Sequence, residues 1–588
     1  MLDLREFMGN LLDRRTFLSL GGGAAISAAA SPRLWGLEAV PAPAARDEVE
    51  TKLDDFTTNY MRAMNAPGMT QALTDTKTTV RTVGYGFANV DLKIPVTPEH
   101  LFQIGSITKS FTALIMLQLR DEGKVDLHRP VLDYLPWLPV NMPYGSITAH
   151  HLLTHSSGLP DASGIFQSDP AARHVQGFAP GAHFHYCNLG FVILGQIIEK
   201  LDGKPWYQCL QARILTPLSM MQTAPVITID SSARSAIGYQ PFFDDQVYPR
   251  QGRLAPRPPE VFASSAGSIA APAGDMAVYL RMLLNGGHGI VSTDGFRLLS
   301  TPYIQATEFS PTAYYGYGIA VDVLDGHKIL RHTGGMSCFA SSIHVDLDGG
   351  VAAFASINAM QGYRPTPVTQ YAIQLLRAQR EAKPLPVAET TTDAREVDNA
   401  GEYAGTFRNG NGKELLFKAE DKKLLLVDGA TQIVLQRNTG DSFVSTVQGS
   451  FSDYSLTFGR EHTNSKTEKT ADGTIPPAIP SPVVEVGYGP DWYMNSAYLG
   501  DREFTVPAAY GPLTGHYRSA SGDDVRVFVR KGRLWIGDTL LTEIGAWLFR
   551  VGDDSWFPDT VEFLTIVEGR ARLLRVIDED HLRIEVGS

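Results

Sequence analysis

Cysteine is scarce in this chain: Cys187, Cys209 and Cys338 are the only three in 588 residues. Three is too few for a disulfide framework, and an odd number leaves at least one thiol unpaired within the chain. No Cys-x-x-Cys and no His-Glu-x-x-His spacing occurs, so a zinc site has no support in the sequence. His183 and His185 flank Phe184 and could share one face of a strand, yet two histidines alone more often pack or hydrogen-bond than hold a metal. Long basic runs are missing too. The formal net charge of -12 is spread along the chain, which argues against nucleic acid or an anionic membrane surface as the main partner. A small molecule or a short peptide is the better fit, and neither a metal nor a cofactor is expected. No apolar stretch spans a bilayer comfortably, so no stable membrane span is expected either.

What is present begins with an address. Arg14-Arg15 directly precedes an apolar, Gly/Ala-rich stretch from Phe17 to Ala30, and Ala42-Pro43-Ala44 follows as a candidate cleavage site. The pattern resembles a twin-arginine export signal, which makes residues 1–45 a leader and the remainder an exported bacterial protein, periplasmic or extracellular. The length exceeds one hydrophobic core. Residues 46–382 alternate amphipathic helices, short strands and Gly/Pro-rich turns, the pattern of a large α/β or α+β domain. Within it, Ser341 to Asn358 reads as a hairpin about Asp348-Gly349, and a last helix is expected near Val368 to Arg380. Residues 383–397 have the proline and polar content of a linker.

Beyond the linker the chain repeats itself. "GTFRNGNGKELLFKAEDKKLLL" (Gly405 to Leu426) lies without a gap over "GHYRSASGDDVRVFVRKGRLWI" (Gly515 to Ile536). Two all-β units are therefore expected, 398–505 and 506–588, each about the length of a small up-and-down barrel, whose closure leaves no strand edge to aggregate. Their boundary is vague between Pro476 and Pro507. Trp535 and Trp547 read as barrel core or girdle.

The stretch "FQIGSITKSF" (Phe102 to Phe111) places a serine and a lysine one turn apart. Ser106 to Glu122 reads as a helix ended by Gly123, apolar nearly all round from Phe111 to Leu119. Ser106 and Lys109, at i and i+3, share one face. Burying an ammonium there is costly unless it is paired or its pKa falls, and a lysine of lowered pKa is the base a serine nucleophile needs. The pair alone decides nothing, because Ser-x-x-Lys recurs by chance in long chains.

Two further segments add to it. "PGAHFHYCNLGF" (Pro180 to Phe191) offers Tyr186 and Asn188 after a Pro-Gly turn, and "LRHTGGMSCF" (Leu330 to Phe339) offers His332, Thr333, Gly334 and Gly335 just before the hairpin strand. In this order the three triplets resemble the active-site walls of the serine β-lactamase and penicillin-binding protein superfamily. The first domain is similar to the class C β-lactamase-like serine hydrolases, a group that includes D-aminopeptidases, DD-carboxypeptidases and esterases. The similarity runs through Gly84 to Leu119, Ile147 to Pro160, Ala266 to Gly287 and Tyr314 to Asp322. A similar domain followed by two lipocalin-like barrels occurs among bacterial D-aminopeptidases.

The resemblance implies roles. Ser106 Oγ attacks the substrate carbonyl, and Lys109 and Tyr186 share its proton, the phenol being expected to ionise below its usual pKa beside the lysine. Tyr186 then activates the deacylating water, Asn188 holds Lys109 and the substrate, and the backbone N–H groups of Ser106 and Gly335 form the oxyanion hole. There is no Glu-x-x-Leu-Asn segment of the class A type and no Gly-x-Ser-x-Gly elbow. His332 departs from the pattern, because classical members carry lysine there. Histidine is mostly neutral at pH 7, so the grip on a carboxylate weakens and the balance moves toward esters and amides without one.

Each residue also has a plain structural alternative: Tyr186 a core tyrosine, Asn188 a turn residue, His332 a strand-end histidine. His155 is expected to hold a loop, and Cys187 and Cys338 could face the pocket. The expected protein is an exported serine hydrolase acting on a D-amino-acid peptide or amide or a short ester, with β-lactamase and DD-carboxypeptidase as alternatives. The rival from another class is a binding or sensor protein whose barrels hold an apolar ligand. For the barrels the sequence leaves loop gating, a homodimer contact, cell-wall binding and a structural rim all open.

Overall fold

In the computed structural model, residues 47–584 are described apart from 168–172, 243–245, 259–260, 360–363, 390–392 and 462–480. The segment read as an export leader lies outside them. Strands β1 (Gly68–Asp75), β2 (Thr79–Asn89), β3 (Ile94–Pro95), β4 (Ile304–Gln305), β5 (Tyr314–Tyr315), β6 (Ala320–Leu324), β7 (His327–Met336), β8 (Phe339–Asp346) and β9 (Val351–Ile357) form a sheet in the order β4-β5-β6-β7-β8-β9-β1-β2-β3. Every pairing is antiparallel. The sheet joins the two ends of the domain, because β1 pairs directly with β9.

The central strands are buried on both faces and serve two cores. Met69, Leu73, Ala353, Ala355 and Ile357 pack under α1 (Glu48–Met64), while Ala72, Ile343, Val345, Ala352 and Phe354 pack under α2 (Thr108–Asp121), α3 (Asn188–Asp202) and α4 (Ala273–Leu284). Side chains of a strand alternate between faces, so uninterrupted apolar runs are what a two-sided sheet requires. The last helix, α5 (Thr366–Arg380), joins α1 on its face.

One local expectation needs correcting. The helix carrying the Ser-x-x-Lys pair starts later than expected: Gly105–Ile107 is a 3-10 turn and the α-helix begins at Thr108. Gly105 explains the turn, because its φ is +52° and a Cβ there would lie 2.6 Å from Gly335 N, a conformation and an approach only glycine permits. His332 to Gly335 stands before the hairpin strand β8 as expected, and itself lies inside β7, in register with Ile343 to Ala340 of β8. Ladder pairing and close backbone approach can both be met by glycine within a strand.

Two closed eight-stranded antiparallel barrels follow, their strands running from Gly405 to Met494 and from Gly515 to Ile584. Equivalent positions of the sequence repeat face equivalent interiors: Phe407 and Tyr517, Phe417 and Val527, Leu424 and Leu534 are all core residues. Side chains fill the first barrel, with Phe417 and Phe458 at 5.0 Å and Phe443 and Phe458 at 5.7 Å between ring centroids. Neither tryptophan is core. Trp535 follows the inward Leu534 and so points outward, under the Arg530 guanidinium at 4.2 Å, and Trp547 is 47% exposed. The barrels meet through Lys531 and Glu485 at 2.8 Å and through Asp538, which accepts from Thr457 Oγ1 at 3.0 Å. Among the described residues no helix is long and apolar enough to cross a membrane.

Candidate active site

Three separate stretches of chain meet at Lys109. Its Nζ lies 3.0 Å from Ser106 Oγ, 2.6 Å from Asn188 Oδ1 and 3.0 Å from the Ala266 carbonyl oxygen. Ser106 and Lys109 come from the turn and first residues of α2, Asn188 opens α3, and Ala266 belongs to the loop ahead of α4. The lysine is wholly buried. Burial lowers its pKa from the ordinary range to about 7, with the Asp161 carboxylate pulling the other way. At neutral pH a large share of Lys109 is therefore an uncharged amine, whose lone pair can accept the proton of the Ser106 hydroxyl.

Tyr186 is partly buried at the cavity wall, and burial pushes its phenol up, with the nearby Ser106 hydroxyl pulling the other way. The expected lowering does not occur. Lys109 Nζ sits over the ring face, 4.8 Å from the centroid, and a dry site penalises a phenolate. Lysine is thus the group whose proton affinity is tuned to neutral pH, and tyrosine stays a neutral hydroxyl.

The sequence-predicted residues all meet here, although not all face the open space. A cavity of about 360 Å³ is bordered by Ser106, Tyr186, His332, Thr333 and Gly335, with Glu308 and Arg364 among its other walls. His332 is 1% exposed. Its Nδ1 donates to the Thr333 carbonyl at 2.6 Å, and its Nε2 accepts from Tyr315 Oη at 2.8 Å. Burial lowers its pKa to about 3, so it is neutral with both ring nitrogens engaged. Gly334 serves the backbone: a Cβ would stand 1.9 Å from the Ile104 carbonyl oxygen.

Several contributors were not picked out from the sequence. Asp161 Oδ1 accepts from the Asn188 backbone N at 2.6 Å and so fixes the start of α3. His155, in contrast, holds a loop as expected: its Nδ1 accepts from the Cys187 N at 3.0 Å, and its ring lies 4.2 Å from that of Tyr186, bracing the turn that bears the tyrosine. Tyr315 lies inside a stretch whose similarity was visible, but its bond to His332 depends on strand pairing. The Ala266 carbonyl carries no side-chain signal at all. Cys187 caps α3 with its Sγ, and Cys338 opens on a different, small cavity beside Gln103 and Ser235. All three cysteines are buried. Among the described residues no group of three His, Cys, Asp or Glu could hold a metal ion.

The beta-lactamase family profile matches residues 53–378, more than half of the chain. The chain belongs to the beta-lactamase family. This family member is 28% identical over 251 residues to an uncharacterized protein of Mycobacterium tuberculosis, covering 37% of this chain and 60% of that relative, less than two thirds of its length. It is 28% identical over 353 residues to Penicillin-binding protein 4 of Amycolatopsis lactamdurans, covering 54% of this chain and 87% of the relative. Among solved structures it resembles the octameric penicillin-binding protein homologue from Pyrococcus abyssi, with a TM-score of 0.53 at 26% identity, over 70% of this chain and 96% of that one. The site described above lies wholly inside the beta-lactamase-family domain.

Proposed function

We propose that this protein is an exported serine hydrolase that cleaves a small ester or amide through an acyl-enzyme on Ser106, with short esters and D-amino-acid amides or peptides as its substrate classes. The observation that carries the reading is the buried Lys109 amine, 3.0 Å from Ser106 Oγ and with a pKa of about 7. Neutral Lys109 takes the hydroxyl proton as Oγ bonds to the substrate carbonyl carbon. The proton returns through the neutral Tyr186 hydroxyl to the departing alcohol or amine as the carbonyl–heteroatom bond breaks. Water then enters by the same route in reverse, giving up its proton as it attacks the acyl carbon and releasing Ser106. The N–H groups of Ser106 and Gly335, both on the cavity wall, supply the oxyanion hole.

The engaged, neutral His332 supports substrates without a terminal carboxylate. A second reading rests on Arg364, which borders the same cavity and whose guanidinium would suit a carboxylate-bearing substrate such as a β-lactam or a peptide C-terminus. The test is the ratio of kcat/KM for p-nitrophenyl butyrate to that for D-alanine p-nitroanilide, with Ser106→Ala as the blank and nitrocefin alongside. Turnover of the ester or D-amide that vanishes in Ser106→Ala supports the proposal. Preference for nitrocefin, lost in Arg364→Ala, favours the second reading. Turnover of none of them, with no fluorophosphonate adduct on Ser106, favours a binding protein.

A further inference from the structure

The second barrel reaches into the support of the site. The loop 552–559 between its strands Leu548–Val551 and Thr560–Val567 lies against the hydrolase-domain loops that lead to Tyr186. Trp556 stacks on His183 with centroids 4.4 Å apart and planes at 10°, and Phe557 meets the His185 ring edge-on at 4.8 Å. The approach is close enough that a Cβ on Gly177 would stand 2.7 Å from the Trp556 carbonyl oxygen.

At the end of this loop Asp559 is 8% exposed. One oxygen, Oδ1, accepts from the Asp161 backbone N at 2.9 Å and lies 3.3 Å from His185 Nε2. Both contacts continue into the site. Asp161 accepts from the Asn188 N at 2.6 Å, and Asn188 Oδ1 lies 2.6 Å from Lys109 Nζ. His185 immediately precedes Tyr186. One carboxylate, supplied from a domain nearly 400 residues further along the chain, thus touches the supports of two residues around the Ser106–Lys109 pair. A buried carboxylate is costly unless such partners hold it, so the contact is specific in direction as well as place.

We propose that Asp559 is a positioning residue for the Ser106 site, holding Asp161 and His185 so that Asn188 and Tyr186 are aimed at Lys109 and Ser106. The inference rests on reading Ser106 and Lys109 as nucleophile and base. A built-in control is available, because the same barrel docks a second time: Asp578 Oδ2 accepts from Ser163 N, Ser163 Oγ and Gly164 N at 2.9 to 3.0 Å. That contact secures the barrel without touching Asp161 or His185.

The experiment is the labelling of Ser106 by a fluorophosphonate in the full chain, followed by intact-mass spectrometry and resolved into reagent affinity and a maximal rate. Asp559→Ala is expected to lower the maximal rate by about tenfold or more with the affinity nearly unchanged, since small misplacements of a reacting group are costly. Asp559→Asn keeps the Oδ1 acceptor and should stay within about threefold of the native rate, as should Asp578→Ala. If alanine weakens the fold, seen as a fall in Tm, Asp559→Glu decides: its extra methylene displaces the 161 loop and a loss of about tenfold is expected again. A native rate in Asp559→Ala, an equal loss in Asp578→Ala, or a folded Asp559→Asn as slow as the alanine variant overturns the proposal. A native protein that is not labelled at all overturns the nucleophile assignment, and this inference with it.

Discussion

At the scale of single residues, the site works by denying water to a lysine. The fold spends stability to keep Lys109 uncharged, and the cost has a sign that can be measured. Its folded pKa, about 7, lies below the unfolded lysine value of 10.5, so between these limits the unfolded chain binds the extra proton. Stability from this group therefore rises with pH across that interval, and the penalty is largest below about pH 7. Lys109→Met should abolish turnover, and its Tm relative to the native protein should climb as pH falls from about 10 to about 7. Thermal melts of both proteins at several pH values check the slope, which is independent of any fixed cost of stranding the Asn188 and Ala266 acceptors. The chemistry-bearing side chains could be read from three short triplets taken in order, the Ser106–Lys109 pair among them, through their resemblance to a known family. The direction of the Tyr186 shift could not, because it depends on how the phenol is buried, and that is set by segments far apart in the chain.

At the scale of elements, the geometry depends on strand β7 lying close against the turn before α2. Gly105 and Gly334 permit that approach, one by its left-handed backbone and both by the space a Cβ would need. Gly334→Ala places a methyl 1.9 Å from the Ile104 carbonyl oxygen, which forces the backbones apart. We expect a loss of about 2 to 4 kcal/mol in stability and a larger proportional loss of activity, measured by urea unfolding and ester turnover. Helix α2 and the β8–β9 hairpin were legible from apolar periodicity and the Asp-Gly turn. The true start of α2 and the inclusion of His332 to Gly335 in a strand were not, since both arise from a tertiary contact between two glycines. The partners of His332 were hidden for the same reason: Tyr315 reaches it only once β5, β6 and β7 are paired.

At the scale of the whole molecule, a beta-lactamase-family domain is followed by two barrels that a gapless repeat had already announced. The repeat told that two like units follow each other, and its paired positions Phe407 and Tyr517, Leu424 and Leu534 point inward. It could not tell whether the interior holds a ligand, because that depends on the sizes of side chains meeting across the barrel. In the first barrel they meet ring against ring. Phe458 contacts Phe407, Phe417, Phe443 and Tyr403, so Phe458→Ala should cost about 3 to 5 kcal/mol and open a dry cavity. A calorimetric scan showing a lowered Tm, with binding of a small aromatic probe gained by the variant, is the expected result. Probe binding in the native barrel with no loss of stability in the variant would show that the interior is open. Docking of the second barrel beside the site had no sequence signature either, because Asp559 is an ordinary loop aspartate until the loop folds against Asp161.

The most direct test of the central claim is the pH dependence of Ser106 acylation. The second-order rate constant for fluorophosphonate labelling, read by intact mass from pH 5 to 10 with Ser106→Ala as blank, should rise about tenfold per unit at low pH and level off near pH 7, where Lys109 loses its proton. A rate that climbs without a plateau until about pH 9 or above would match an ordinary lysine or tyrosine base and contradict the account, as would an adduct formed equally well in Ser106→Ala.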